Sequence, residues 1–225
     1  MEITRAPRGA LPEAYALRLG DPCPTRQASA AVSLGRLGPD ALPHVGALAD
    51  HVADGDATVR HAAVAALLRL GPVGADAVVA RLLDADAEVR RCAAAALGRF
   101  GSVAAPHSAA LAGRLQDGDE FVRRSAADAL GRLGAPAAGE HGVALARRLG
   151  DPDADVRRGA AVALGRLGPA AANHTWALVD HVRTGSHWEA GHSMEALARV
   201  HGLGLGAPRL RPSSLGPCAL ASLKH

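Results

Sequence analysis

A short segment, Leu-Gly-Arg-Leu-Gly, recurs along the chain and limits the possible folds more than any other feature. It occurs three times unchanged, twice with one substitution and once in a decayed form. The copies begin at Leu34, Leu67, Leu97, Leu130, Leu164 and Leu197, so the spacing between successive copies is nearly constant. A period of about 33 residues is typical of stacked supersecondary units, in which each unit buries its apolar face against its neighbours.

Each unit is predicted to contain two α-helices. In the second unit, an Asp-Gly-Asp turn at 54–56 places Asp56 to cap the helix that follows, and Gly71 and Pro72 end that helix. The composition agrees, because the chain has 52 alanines and only 2% aromatic residues, which disfavours β-sandwiches and barrels. The apolar positions of this helix have helical spacing and are Val59, Ala62, Ala63, Ala66, Leu67 and Leu70.

The sequence therefore predicts an all-α solenoid of about six helix pairs. The array is expected to span residues 21–201, after an N-terminal segment, 1–20, that contains part of a capping helix. Residues 202–225 are rich in Gly and Pro and lose the helical spacing, so we expect a flexible tail. Polar residues at core positions of the first and last units predict ends that no neighbour covers. They are Arg26, Ser29 and Ser33 in the first unit and Glu189, His192 and Ser193 in the last.

The stretch 151–168, Asp-Pro-Asp-Ala-Asp-Val-Arg-Arg-Gly-Ala-Ala-Val-Ala-Leu-Gly-Arg-Leu-Gly, resembles a HEAT repeat. It is most similar to the short HEAT-like repeats first described in phycobilin lyases, and the similarity extends roughly from Asp21 to His201. The resemblance implies an armadillo-like superhelix in which the second helix of each pair lines the concave surface. It also implies a ladder between adjacent repeats, formed by an Asp in the inter-helix turn and an Arg six residues later. The matching pairs are Asp54 and Arg60, Asp84 and Arg90, Asp117 and Arg123, and Asp151 and Arg157.

Two rows of arginine are expected on that concave surface. The C-terminal row stands in the last turn of each second helix, where the helix dipole favours a cation, so duplication alone could have copied it without any ligand. The N-terminal row stands in the first turn, where the dipole disfavours a cation, which makes it the stronger candidate for binding. Phe121 lies beside the N-terminal row and is predicted to be an apolar anchor, unless a neighbouring helix covers it. The C-terminal row comprises Arg36, Arg69, Arg99, Arg132, Arg166 and Arg199, and the N-terminal row comprises Arg91, Arg124 and Arg158.

These features predict a non-catalytic scaffold or adaptor that binds an acidic or amphipathic segment of a partner protein on its arginine-lined concave face. It would act either alone or as a subunit of a larger assembly. Two alternatives remain: a phycobilin-lyase-like subunit, implied by the resemblance alone, and a nucleic-acid-binding protein that uses the arginines on phosphates. A net charge of only +3, acidic Asp128 and Asp155 among the arginines, and few aromatic residues for stacking count against nucleic acid.

No catalytic or cofactor-binding signature is found in the sequence. It has no nucleotide-binding glycine loop and no nucleophile elbow, and its repeat-borne histidines are one unit or more apart, so we expect no enzyme activity, cofactor or metal site. No apolar run reaches the roughly 18 residues that a bilayer span requires. No apolar signal core follows residues 1–5, and the three cysteines are far apart. We therefore expect an intracellular protein, in the cytoplasm, a plastid or the nucleus, with the cytoplasm favoured.

Overall fold

The computed structural model of the chain describes residues 10–134 and 141–202. Within these residues there are twelve α-helices in six consecutive pairs and no β-strand, so the prediction of an all-α chain of about six helix pairs is confirmed. The first nine residues and the predicted tail from residue 203 onward lie outside the described residues.

The odd-numbered helices are the first members of the pairs and are mostly short. They are α1 (Ala10–Leu19), α3 (Val45–Asp50), α5 (Pro72–Val79), α7 (Ser108–Arg114), α9 (Gly142–Arg148) and α11 (Thr175–Thr184). The even-numbered helices are the second members. They are α2 (Pro24–Leu37), α4 (Ala57–Arg69), α6 (Ala87–Phe100), α8 (Glu120–Leu133), α10 (Ala154–Leu167) and α12 (His187–Val200). Short 3-10 segments lie at Gly38–His44, His51–Ala53, Ala80–Leu83, Gly101–His107 and Gly168–His174.

Side-chain caps and glycines set the ends of the even-numbered helices. Asp56 accepts hydrogen bonds from the backbone N–H groups of Thr58 and Val59, which α4 would otherwise leave unpaired. Glycines of positive φ follow several of these helices, for example Gly101 at 56° and Gly168 at 55°. A residue with a Cβ is strained in this conformation, which explains why the first five copies of the repeated segment end in Gly. The Asp caps of α4, α6, α8 and α10 are Asp56, Asp86, Asp119 and Asp153.

The core is a row of leucines supplied by the repeated segment. The first leucine of each of five copies is fully buried, and burial of such a side chain contributes about 1.5–3 kcal/mol. These residues are Leu34, Leu67, Leu97, Leu130 and Leu164. In the last copy Leu197 is only partly buried, because no further helix pair follows it among the described residues.

The second residue of the repeated segment, usually Gly, lets neighbouring even-numbered helices approach closely. A Cβ placed on Gly131 of α8 would lie only 2.7 Å from the Cα of Ala163 in α10. Gly35, Gly98 and Gly165 face Ala66, Ala129 and Ala196 in the same manner, with distances of 2.6, 3.0 and 2.8 Å. Glycine is therefore required at these positions by the backbone of the next helix.

The stack of even-numbered helices is interrupted between α4 and α6. These two helices barely touch, whereas α2 packs along α4, α6 along α8, α8 along α10 and α10 along α12. Leu68 stands where four other units have the close-approach glycine, so a bulky side chain replaces the closest contact. The junction is held instead by contacts of α3 with α5 and of the 3-10 segment His51–Ala53 with α6.

The interruption coincides with the shortest spacing of the repeat, which is the one between the copies that begin at Leu67 and Leu97. Before α3, α7 and α11 a seven-residue 3-10 segment precedes the odd-numbered helix, but α5 begins at Pro72, directly after the turn that ends α4. Gly74 allows this tight connection, since a Cβ there would lie 2.1 Å from the carbonyl oxygen of Leu67. The even-numbered helices thus form one block of two, α2 and α4, and a second block of four, α6 to α12.

Adding a methyl group at a close-approach glycine is expected to destabilise the array. Gly131→Ala should lower the free energy of unfolding by about 1–3 kcal/mol, because the backbone of α10 must move away. Gly113→Ala is the matched control, since that glycine lies in α7 with open space around it, and alanine there should stabilise by up to about 1 kcal/mol. Urea unfolding of the two variants measures both effects, and midpoints shifted in the same direction would contradict the assignment.

Candidate functional site: the arginine rows of the even-numbered helices

The C-terminal row lies in the last turns of the even-numbered helices, and most of its arginines have no acidic partner among the described residues. Arg199 donates to Glu195 at 2.7 Å. The other five members are exposed, and none forms an ion pair with a described residue. These five are Arg36, Arg69, Arg99, Arg132 and Arg166.

The stems of this row pack on the close-approach glycines of the preceding unit. A Cβ on Gly98 would lie 3.6 Å from Cδ of Arg132, and one on Gly131 would lie 3.4 Å from Cδ of Arg166. The apolar part of each of these side chains therefore covers the glycine of its neighbour while the guanidinium group reaches solvent. The contact repeats with Arg199 on Gly165, at 3.7 Å, and helps to place the exposed guanidinium groups of α8 and α10.

The N-terminal row is expected to face solvent as free charge, but the structure pairs it with carboxylates. Arg91 forms a bidentate ion pair with Glu88, including an Nε–Oε2 hydrogen bond of 2.7 Å, and lowers the pKa of that carboxyl group. Asp155 accepts from Arg124 of α8 and from Arg158 of its own helix, each at 3.0 Å. Three cations thus face two anions, and all three arginines are partly buried. The acidic partners occupy the first helical turn, where the dipole favours them and where a residue three positions later can reach them.

Two exposed aromatic residues lie beside the N-terminal row. Phe121 in the first turn of α8 is 55% exposed, and Trp188 in the first turn of α12 is 53% exposed. The guanidinium carbon of Arg158 lies 5.6 Å from the ring centroid of Trp188, and His192 meets the same ring edge-on at 4.6 Å. The neighbouring helices leave about half of each aromatic surface open to a partner.

The ladder residues of the central units form buried ion pairs between adjacent repeats. Arg90 donates to both carboxylate oxygens of Asp117 at 2.9 and 2.8 Å, and Arg123 donates to both oxygens of Asp151 at 3.0 and 2.9 Å. Arg90 also donates to the backbone carbonyl oxygen of Asp84, and Arg123 donates to that of Asp117. The hydrogen bonds from Arg90 lower the pKa of Asp117. Burial raises the pKa of Asp151, but the hydrogen bonds from Arg123 oppose this effect, and that pKa lies below its usual value.

The ladder stops at the α4–α6 junction. Arg60 donates to the backbone carbonyl oxygens of Asp54 at 2.6 Å and Gly55 at 2.9 Å but does not reach the carboxylate of Asp84. Asp84 instead accepts from the backbone N–H of Asp86. The physical reason is the gap between α4 and α6, which separates the two partners that the repeat pattern would pair.

At the other end, the ladder continues through a residue that the repeat pattern does not indicate. Thr184 stands at the Asp position of the last unit, yet Arg157 donates to Glu189 of α12 at 2.6 Å. The hydroxyl and backbone N–H of Ser186, together with Arg157, lower the pKa of Glu189 to about 2. Only the capping-box spacing of Ser186 and Glu189 in the sequence could have indicated this inward-pointing carboxylate.

The expectation of an uncovered end is wrong for Glu189 and Ser193, because both are buried, whereas Arg26 and Ser29 of the first unit are exposed. Ser193 lies 2.7 Å from Nδ1 of the buried His181, and burial lowers the pKa of that imidazole. In three earlier units the residue three positions before the Asp pairs with that Asp, as Arg148 does with Asp151 at 3.2 Å. His181 has no such Asp and uses Ser193 of α12 instead, so these polar residues hold α11 and α12 together.

The described residues contain no group of three or more His, Cys, Asp or Glu side chains that could hold a metal ion. In the same part of the chain, no helix combines the length and the apolar content needed to cross a bilayer. A shallow cleft of about 310 Å³ in the first helix pair is lined by polar groups, among them Arg18, Asp21 and Arg26.

Comparison with known proteins identifies the repeat and the fold. Residues 75–141 match the sequence model of HEAT repeats, and no curated protein matches the chain. An engineered protein from the Northeast Structural Genomics Consortium is similar in structure, with a TM-score of 0.58 and 21% identity over 86% of this chain and 97% of that one. A designed armadillo repeat protein in complex with the peptide (KR)4 gives a TM-score of 0.57 and 18% identity over 84% of this chain and 99% of that one.

A computationally designed armadillo repeat protein for modular peptide recognition is also similar, with a TM-score of 0.54 and 19% identity over 84% of this chain and 99% of that one. At these identities the similarity concerns the fold alone. The predicted α-solenoid of armadillo and HEAT type is thereby confirmed.

Proposed function

We propose that this chain, which matches the model of HEAT repeats over residues 75–141, is a non-catalytic scaffold that binds an acidic segment of a partner protein on its even-numbered helices. By analogy with the family, we take this face to be the concave one. The observation that carries the proposal is the C-terminal row, in which five exposed guanidinium groups have no carboxylate partner among the described residues. Bidentate pairing with carboxylates is the interaction for which arginine is best suited.

The designed armadillo protein that is complexed with (KR)4 supports a peptide-binding role for this type of solenoid. The ligand of that protein is positively charged, and the C-terminal row of this chain is positively charged as well, so it would repel such a ligand. A partner of the opposite charge, rich in Asp and Glu, is therefore the complementary one. The N-terminal row, which is paired with Glu88 and Asp155, contributes little net charge to this surface.

A nucleic-acid-binding role is supported less well than a protein-binding role. The net charge is only +3, and Asp155 pairs with both Arg124 and Arg158 where a phosphate would need them. Single-stranded nucleic acids are usually bound by several stacking aromatics, and only Phe121 and Trp188 are exposed on the described even-numbered helices. The lyase-like alternative has no feature of the described residues in its favour.

Binding of the full chain to labelled polyglutamate, polylysine and duplex DNA, followed by fluorescence anisotropy, tests the proposal. We expect polyglutamate to bind most tightly and polylysine not to bind. The association rate should fall as the ionic strength rises to about 0.15 M, where the Debye length is about 8 Å. Tighter binding of DNA than of polyglutamate would replace the proposal with the nucleic-acid alternative, and preferential binding of polylysine would overturn it outright.

A further inference from the structure

Two lines of side chains lie on the second block of even-numbered helices, α6 to α12. One line is cationic and consists of Arg99, Arg132 and Arg166 in the last turns. The other is aromatic and consists of Phe121 and Trp188 in the first turns. Phe121 and Arg132 belong to one helix, α8, and their positions in the sequence correspond to a separation of about 16 Å along the helix axis.

The strip between the two lines contains the N-terminal row, whose arginines are partly buried and held by Glu88 and Asp155, and then, next to the cationic line, short side chains. Ala95, Asp128 and Val162 occupy it on α6, α8 and α10, and none of them projects as far as an arginine or an aromatic ring. An α-helix with its side chains is about 10–12 Å across, so its flanks can contact both lines at once when it lies across the stack. An extended peptide is thinner and contacts one line at a time.

The spacing of the cationic line also matches a helical ligand. The glycine contacts hold α6, α8, α10 and α12 close together, and packed helices lie about 8–10 Å apart. Exposed arginines therefore recur about every 8–10 Å along the stack. Two turns of an α-helix, or about seven residues, advance about 10.5 Å and return a side chain to the same face. Arg69 falls outside this regular line, because the interruption between α4 and α6 displaces it.

We infer that the partner segment is an amphipathic α-helix of about 20 residues, a length that allows it to lie across all four helices from α6 to α12. Acidic residues about seven positions apart on one flank pair with Arg99, Arg132 and Arg166. Apolar residues on the adjoining flank pack on Phe121 and Trp188. This inference rests on the proposed function and specifies the form of its ligand, in the manner of helix-in-groove recognition. An extended acidic peptide would instead need a carboxylate at about every third residue to meet the same arginines.

Three synthetic peptides of equal length and equal glutamate content test the inference with the full chain. The first is helical, with glutamates about seven residues apart and leucines on the adjoining flank. The second is helical with the same composition but with glutamates dispersed around the helix. The third is kept extended by prolines and has the same number of glutamates, placed about three residues apart in its central part. We expect the first peptide to bind about tenfold more tightly than either of the others.

Phe121→Ala provides the second readout. It should remove most of the advantage of the first peptide and leave binding of the extended peptide and of polyglutamate unchanged. Equal affinity for the two helical peptides, or tightest binding of the extended one, would overturn the helical ligand while leaving the acidic-partner proposal intact. If neither polyglutamate nor any of the three peptides binds, the proposed function fails, and the helical ligand fails with it.

Discussion

Arg123→Ala is expected to lower the free energy of unfolding by about 3 kcal/mol, the lower end of the range for breaking a buried ion pair. Arg123 donates twice to Asp151, whose side chain is completely buried, and once each to the carbonyl oxygens of Asp117 and Gly118. Its removal leaves a buried carboxylate that retains only Arg148, at 3.2 Å, as a cationic partner among the described residues. Arg148 and the backbone N–H of Asp153 keep the loss below the upper end of that range.

Arg132→Ala is the control for this substitution. The two arginines lie in the same helix, α8, but Arg132 is exposed and makes no ion pair with a described residue. We expect a loss of less than about 1 kcal/mol, because the contact of its stem with Gly98 and its favourable interaction with the helix dipole are lost. Urea unfolding followed by circular dichroism distinguishes the two variants, and equal midpoints would show that the inter-repeat ion pair does not stabilise the array.

The helix pairs could be predicted from the sequence because the repeat encodes them locally. The apolar spacing, the Asp caps and the terminal glycines act within about one helix, so one copy of the pattern is enough to place α4 after Asp56. The same locality explains the prediction of Asp117 and Asp151 as ladder residues, since those units follow the pattern without change.

The pairing of individual charges could not be predicted from the repeat, because it depends on distances between helices. Arg60 and Asp84 match the ladder pattern, but the replacement of glycine by Leu68 and the shortened connection separate α4 from α6. Glu189 lies outside the pattern, and yet its position in the first turn of α12 brings it within 2.6 Å of Arg157. The sequence shows both departures from the repeat, Leu68 and Glu189, but it does not show which contact between helices each of them changes.

The relative importance of the two arginine rows changes for a similar reason. The helix dipole alone makes the N-terminal row look like the stronger candidate, because an arginine in a first turn needs some other source of stability. In the structure, the carboxylates of Glu88 and Asp155 stabilise these arginines by forming ion pairs with them. The C-terminal row, which the dipole already explains, is the row whose charge is left available to a partner.

The most direct test of the binding surface compares two triple variants that lose the same charge. Arg99→Ala, Arg132→Ala and Arg166→Ala together remove the exposed cations of α6, α8 and α10. Arg91→Ala, Arg124→Ala and Arg158→Ala together remove the paired ones. Both variants lose three positive charges, so long-range attraction falls equally, and the difference between them reports where the ligand binds.

Affinity for labelled polyglutamate at physiological salt is the quantity to measure. Three exposed ion pairs contribute about 1–3 kcal/mol together, so the first variant should bind about tenfold or more weakly than the second. Both should keep the circular dichroism spectrum of the unmodified chain, which separates lost binding from lost fold. A greater loss in the first variant is the result predicted here. An equal loss, or a greater loss in the second variant, would show that the C-terminal row is not the binding surface.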